Sequence, residues 1–311
     1  MRDRRKTKVT SQKLKEIRCG SRATGHRSRK RLVLFADPKK GSAEKIVRKF
    51  VDFVKGRAEI IARCDVGECS KEILRGCDYA VVFGGDGSII SAARALSDSN
   101  VPVIGVNLGK LGYLAEFSID ELLDSLEDII SCNVKIEKRM MLSCRLLTEG
   151  KQIFSSKAIN DVFINSGSPF RMIELQIKVD GQSLAGCIGD GLVISTPTGS
   201  TAYNLSSGGP ILGGRMEAMV ITPICPHSLS FRPIVISAGS CVEAIGLKVN
   251  RGTTVSVDGQ ISNKFTAASR LLVEKDKSYF LVVNNPIRNQ WDTLAAKLGW
   301  AEKPKYKNSG L

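Results

Sequence analysis

Residues 79–96 read YAVVFGGDGSIISAARAL. Five apolar residues, Tyr79 to Phe83, lead into Gly84-Gly85-Asp86-Gly87-Ser88, and an apolar pattern at helical spacing follows from Ile89 to Leu96. A run that is apolar at every position suits a strand buried on both faces, as in a parallel sheet, so the segment predicts strand, tight loop and helix in that order. Glycines let the backbone turn sharply and bring its N–H groups close to an anion. Asp86 is then an electrostatic conflict, a carboxylate in a loop suited to phosphate. It is resolved if the carboxylate accepts a proton from an attacking hydroxyl or helps hold a divalent cation between phosphates, both roles in phosphoryl transfer. The plainer alternative is an aspartate at a helix N-cap. No Gly-x-x-x-x-Gly-Lys-Ser/Thr segment and no complete Gly-x-Gly-x-x-Gly after a strand exists, which excludes a P-loop ATPase and an ordinary dinucleotide-dependent dehydrogenase by motif.

The same grammar extends outward. Upstream, the short strand Leu32 to Phe35 precedes Pro38, Gly41 and a helix with Ile46, Val47, Phe50, Val51 and Val54 on one face, stopping at Gly56. Downstream, Val101 to Val106 reads as a further strand, and Ser118-x-x-Glu121 as a capping box opening a helix whose stripe is Ile119, Leu122, Leu123, Leu126, Ile129 and Ile130. Past that helix the period shortens to two, in Arg145 to Leu147, Glu174 to Val179 and Thr254 to Val257, with Asp180-Gly181 and Asp258-Gly259 as turns. The fold class expected is an α/β N-terminal domain with a parallel sheet plus a mainly β C-terminal domain. The expected divisions are a basic tail at 1–31, the α/β domain at 32–133, the β-rich domain at 134–279, and a segment at 280–311 packing back on the first domain through Trp291, Leu294 and Leu298.

Composition excludes several classes. The chain of 311 residues can bury a sizeable core, and its longest apolar runs are far below the ~20 residues that span a bilayer. The net charge of +15 is concentrated at the start: residues 1–31 hold thirteen Lys or Arg against Asp3 and Glu16, a net of +11, leaving +4 for the other 280 residues. Such a tail is usually solvated. Nine cysteines without Cys-x-x-Cys spacing, and only His26 and His227, argue against a zinc site and for reduced, mostly buried thiols in a cytoplasmic protein.

Two further glycine-rich segments follow strands. Gly105 to Leu114, GVNLGKLGYL, offers close backbone packing and Lys110 as a phosphate contact. Gly189 to Asn204, GDGLVISTPTGSTAYN, leads from a strand into small hydroxyl residues and an aromatic ring on which a base can stack. Taken together, GGDGS at Gly84–Ser88, NLGKLGYL at Asn107–Leu114, Asn160-Asp161, and STPTGSTAYNLSSGGPIL at Ser195–Leu212 resemble the NAD kinase family in order and spacing, from Leu32 to the C-terminus. GGDG alone is shared with diacylglycerol and sphingosine kinases; the long TPTGSTAYN segment is what separates them.

The resemblance implies an enzyme that phosphorylates the 2′-hydroxyl of the adenosine ribose of NAD to give NADP, with ATP as donor and a divalent metal, Mg²⁺, as cofactor. It implies a cytoplasmic homo-oligomer, dimer or tetramer, without membrane or nucleic-acid partners. Asp86 corresponds to the proton acceptor, with Gly84, Gly85, Gly87 and Ser88 forming the phosphate loop and no metal ligand assigned to the protein. Asp86, Gly87, Asn160, Asp161, Asp190, Thr201, Ala202, Tyr203, Ser206 and Gln260 correspond to NAD contacts, Tyr203 as the stacking ring and Asp190 toward the nicotinamide, in some members from a neighbouring subunit. Ile188 and Ser91 stand where many relatives carry arginine, and Arg94 lies one helical turn beyond Ser91. The competing readings are a lipid kinase of the GGDG superfamily and a nucleic-acid-binding protein acting through its basic tail.

Overall fold

The computed structural model describes residues 29–37, 41–109 and 112–299. The basic tail up to residue 28, Lys110, and the residues after 299 lie outside the described residues, as do the expectations placed on them.

The first part of the chain alternates strands and helices: β1 (Arg31–Ala36), α1 (Gly41–Val54), β2 (Glu59–Cys64), α2 (Lys71–Arg75), β3 (Tyr79–Phe83), α3 (Asp86–Leu96), β4 (Val103–Val106), α4 (Ile119–Asp124) and α5 (Leu126–Ile130). The four strands are parallel in the order β2-β1-β3-β4. Alternation along β1 and β3 sends side chains to both faces. Leu32, Leu34, Tyr79, Val81 and Phe83 pack with Val47, Phe50 and Val54 of α1, while Val33, Phe35, Ala80 and Val82 pack with Ile89, Ala92, Ala93 and Leu96 of α3. β2 is added on one side of β1 and β3 on the other, so the strand order reverses there, and the crevice at the C-terminal ends of β1 and β3 is where an open α/β sheet binds ligands. The GGDG loop leaves β3 at that crevice.

The second part is β5 (Ile136–Thr148), β6 (Lys151–Ala158), β7 (Asp161–Asn165), β8 (Ile173–Val179), β9 (Gln182–Gly189), β10 (Gly191–Ser195), a 3-10 turn (Gly199–Thr201), α6 (Tyr203–Ser206), β11 (Ala218–Ile224), β12 (Ile234–Ser237), β13 (Val242–Lys248), β14 (Thr254–Val257), β15 (Ile261–Lys264), β16 (Ser269–Val283) and α7 (Gln290–Leu298). One six-stranded antiparallel sheet runs β12-β11-β10-β7-β14-β15. The remaining strands do not form a separate sheet. They extend the first one, because the long β16 pairs with β4 at Val282↔Val103, with β5, and with β13, which leads to β8 and β9. The core of this half lies between the two sheets, with Leu142, Leu175, Ala244 and Val273 facing Ile164, Ile194, Ile221 and Val257.

Three differences from the sequence reading have local causes. The helix from Ser118 keeps its capping box but breaks at Ser125 into α4 and α5. Cys64 and Cys69 form a disulfide, which corrects the expectation of thiols throughout; Cys77, Cys144 and Cys187 are buried thiols. Among the described side chains of α7 Leu294 alone is buried, whereas Trp291 is 60% exposed and Leu298 42%.

Candidate functional site

Asp86 is the first residue of α3, so its carboxylate sits at the positive end of the helix. Its oxygens reach across to the loop after β4. Oδ1 accepts the backbone N–H groups of Leu114 (2.9 Å) and Ala115 (3.2 Å), and Oδ2 that of Tyr113 (2.9 Å). Three fixed donors hold the side chain in one orientation, leaving Oδ2 with acceptor capacity on the side where the Lys297 ammonium lies 3.8 Å away. Lys297 also sits 4.3 Å over the Tyr113 ring, placing α7 across the loop. Gly112 makes the latch geometrically feasible, since a Cβ there would come 2.1 Å from Asp86 Oδ1. A Gly112→Ala variant is therefore expected to displace the carboxylate and lower turnover by ~10-fold or more at unchanged secondary structure, the scale of a misplaced catalytic group, as steady-state rates and circular dichroism would report.

Facing this loop is the β14–β15 turn. Gln260 donates from Nε2 to the Gly87 carbonyl (2.8 Å) and accepts from the Ser91 hydroxyl (2.8 Å) and from Arg94 (3.2 Å). Arg94 is engaged by Asp258 at 2.8 Å, which commits it to this turn. Asp258, whose side chain has no exposed surface, also accepts the N–H groups of Ile159, Asn160 and Asp161. One buried carboxylate thus fixes the Asn160-Asp161 backbone and ties it, through Arg94, to the helix that carries Asp86.

Asn160, Asp161, Ala202 and Tyr203 come together with Phe163, Asn165, Asp258 and Gly259 around a cavity of about 370 Å³. Even-numbered β7 residues Val162 and Ile164 point into the core, which turns Asp161, Phe163 and Asn165 to the opposite face. Tyr203 packs edge-on against Phe163 with ring centroids 4.8 Å apart. Close packing brings the run into place: a Cβ on Gly199 would lie 2.1 Å from the Asn160 carbonyl oxygen. Asp190 stands at the other end of the β7–β10 pair, beyond the Gly191↔Asn165 register, while Asp161 faces Ser195. Burial, then the charges of Cys225, Asp161 and Asp190, raise the Tyr203 phenol. Thr201 lines a separate cavity and Ser206 is exposed on α6. Ile188 is an exposed residue of β9.

Asp161 is buried, its Oδ2 has no hydrogen-bond partner, and burial with the neighbouring Asp258 charge raises its pKa from 3.8 to about 7. Arg94 and three amides engage Asp258, whereas Asp161 Oδ2 has no donor, so the carboxyl that favours a proton is Asp161. Between pH 4 and 7 the folded chain keeps a proton that the unfolded chain has released, and stability falls as pH rises through that window, on the order of a few kcal/mol. Asp161→Asn is expected to flatten this profile: its melting temperature should match wild type at about pH 4 and exceed it at pH 8 in a thermal-melt series.

Sequence reasoning read Asp258 as a turn residue only, and Gly112 as close packing without its partner, which is Asp86. The repeated Val-Asp-Gly-Gln at 179–182 and 257–260 was the available signal. Both Asp residues adopt positive φ, as the hairpin reading requires, but Asp180 accepts only from the Cys241 amide whereas Asp258 organises the site.

A glycine-rich loop at the switch point of a parallel sheet, latched by its own carboxylate and facing a β domain with an aromatic-walled pocket, defines a two-domain nucleotide-binding protein of the GGDG class. Residues 32–134 match the ATP-NAD kinase N-terminal domain and residues 159–285 the ATP-NAD kinase C-terminal domain. The chain is 39% identical over 226 residues to the NAD kinase of Geotalea daltonii, covering 73% of this chain and 80% of that one, and 35% identical over 285 residues to that of Syntrophotalea carbinolica, covering 88% and 100%. Among solved structures, yeast NADH kinase complexed with NADH superimposes with a TM-score of 0.79 at 25% identity, covering 90% of each chain. An NAD kinase from Archaeoglobus fulgidus in complex with ATP shares the fold, with a TM-score of 0.67 at 24% identity over 86% of this chain and 98% of that one. The chain belongs to the NAD kinase family.

Proposed function

We propose that this protein is an ATP-dependent NAD kinase that phosphorylates the 2′-hydroxyl of the adenosine ribose of NAD. The observation that carries the reading is the Asp86 carboxylate, latched by the amides of residues 113–115 and joined through Gly87–Gln260 and Arg94–Asp258 to the pocket of Asn160, Asp161, Ala202 and Tyr203. NAD lies with its adenine against Tyr203 and its nicotinamide toward Asp190. The 2′-oxygen attacks the γ-phosphorus, the bond from γ-phosphorus to the β–γ bridging oxygen breaks, ADP leaves, and the hydroxyl proton passes to Asp86 Oδ2. Catalysis is positioning, charge neutralisation and general base action, without a covalent intermediate.

Among the described residues no group of three or more His, Cys, Asp or Glu is arranged to hold a metal ion. Asp86 is the carboxylate that would stand near a divalent cation such as Mg²⁺ brought in with the donor's phosphates, since such ions keep several waters and need few protein ligands. Such an ion would neutralise phosphate charge.

The named relatives are NAD and NADH kinases, which gives the lipid-kinase and nucleic-acid readings no support. No helix among the described residues is long and apolar enough to cross a membrane. The division into domains at 133 and 279, a cytoplasmic location and assembly as a dimer or tetramer are parts of the same proposal. NADP formation from NAD and ATP, read by an NADP-specific dehydrogenase, tests the reaction.

A further inference from the structure

The amides that hold Asp86 belong to Tyr113, Leu114 and Ala115, and the next residue in the chain is Glu116. We propose that Glu116 is a positioning residue for the transfer: it ties the latch loop to the segment that opens α7 and so sets where the Asp86 carboxylate stands. This rests on the kinase reading and adds to it a residue that acts through the base.

One partner grips Glu116 twice. Its Oε2 accepts the Asn285 N–H (3.0 Å), and its backbone carbonyl accepts from the Asn285 side-chain amide (3.0 Å). Asn285 is 1% exposed, so these bonds are shielded from competing water. The same side-chain amide donates to Glu121 Oε2 (3.2 Å), and Glu121 also accepts the Ser118 N–H (2.7 Å) and two bonds from Arg288 (3.1 and 2.6 Å). Residues 116–121 and 285–288 are thereby joined into one block. Phe117 anchors it to the sheet: buried, it donates its N–H to the Gly105 carbonyl and accepts the Asn107 N–H at the end of β4.

The block bears on Asp86 from two sides. Running back from Glu116, the chain passes directly into the three amides that meet the carboxylate. Running on from Arg288, it enters α7, which brings Lys297 to 3.8 Å from Asp86 Oδ2 and over the Tyr113 ring. A catalytic group must be held to within about 0.5 Å, so a block that carries its donors and its neighbouring ammonium together sets its rate.

The plainer account is a buried ion pair with Arg139, 3.4 Å away. Arg139 already has the buried Glu137 at 3.2 Å, however, and does not need a second carboxylate. Burial also raises the Glu116 carboxyl, with Arg139 and the Asn285 amide pulling the other way. An apolar side chain of similar size would avoid that cost. What Glu116 alone supplies is the tie to Asn285.

Glu116→Met and Glu116→Gln test this, because both remove the charge and differ in the acceptor. Methionine fills the space but cannot bond Asn285; it is expected to lower kcat by ~10-fold or more, the scale of a misplaced catalytic group, with KM for NAD within about twofold of wild type. Glutamine keeps an oxygen for the Asn285 N–H and is expected to hold kcat within about threefold of wild type. Thermal melts establish that each variant is folded. If the methionine variant does not fold, Asn285→Ala takes its place, removing the bond to the Glu116 carbonyl from the other side, with the same loss expected. A folded methionine variant with wild-type kcat, or a glutamine variant as slow as methionine, would overturn the inference while leaving the kinase reading in place. A folded wild-type protein that makes no NADP from NAD and ATP would remove the reading itself, and the inference with it.

Discussion

Asp86→Asn is expected to lower turnover by at least ~10²-fold, the range over which a positioned general base acts. The change is nearly isosteric yet chemically severe. Asn keeps one acceptor oxygen for the Leu114 and Ala115 amides, and its NH₂ then meets the Tyr113 N–H and the Lys297 ammonium, donor against donor. Binding of NAD should change much less, because Asn160, Asp161 and Tyr203 are untouched. Stopped-time assays for turnover and titration calorimetry for NAD separate the two effects, and near-wild-type turnover would reject Asp86 as the base.

Asp258→Ala is expected to give the largest loss of stability, ~3–5 kcal/mol, the usual cost of breaking a buried ion pair by removing one partner. Arg94, with 16% side-chain exposure, loses its carboxylate, and the amides of Ile159, Asn160 and Asp161 lose their common acceptor. Denaturant unfolding reads the loss. A variant that remains folded should also bind NAD more weakly, since the backbone that presents Asn160 and Asp161 is no longer held. A melting curve indistinguishable from wild type would mean that the Arg94–Asp258 link carries no load.

The sequence made plain what short-range chemistry dictates. β3 and α3 meet at Asp86 because an all-apolar strand runs straight into glycines, and the Ser118–Glu121 box is formed as its spacing predicts. β2 went unread: Glu59–Cys64 is an edge strand with charged residues at Glu59 and Arg63 and no fully buried position, so it lacks the apolar signature of its neighbours. What was least legible is what depends on distant partners. Gly112 is indispensable only because Asp86 comes from 26 residues earlier to lie against it. Asp258 looks like any hairpin aspartate until β14 is placed beside the start of β7. The joining of both halves through β16 likewise follows from a single strand long enough to pair with β5 and β13 along one part and with β4 along the other.

The central claim is that Asp86 draws the proton from the NAD ribose 2′-hydroxyl. The most direct measurement incubates wild type and Asp86→Asn in parallel with NAD, ATP and Mg²⁺ and detects product with a dehydrogenase that accepts NADP but not NAD. NADP from the wild type and essentially none from the folded variant is the result predicted here; NADP from neither, or at equal rates from both, would contradict it.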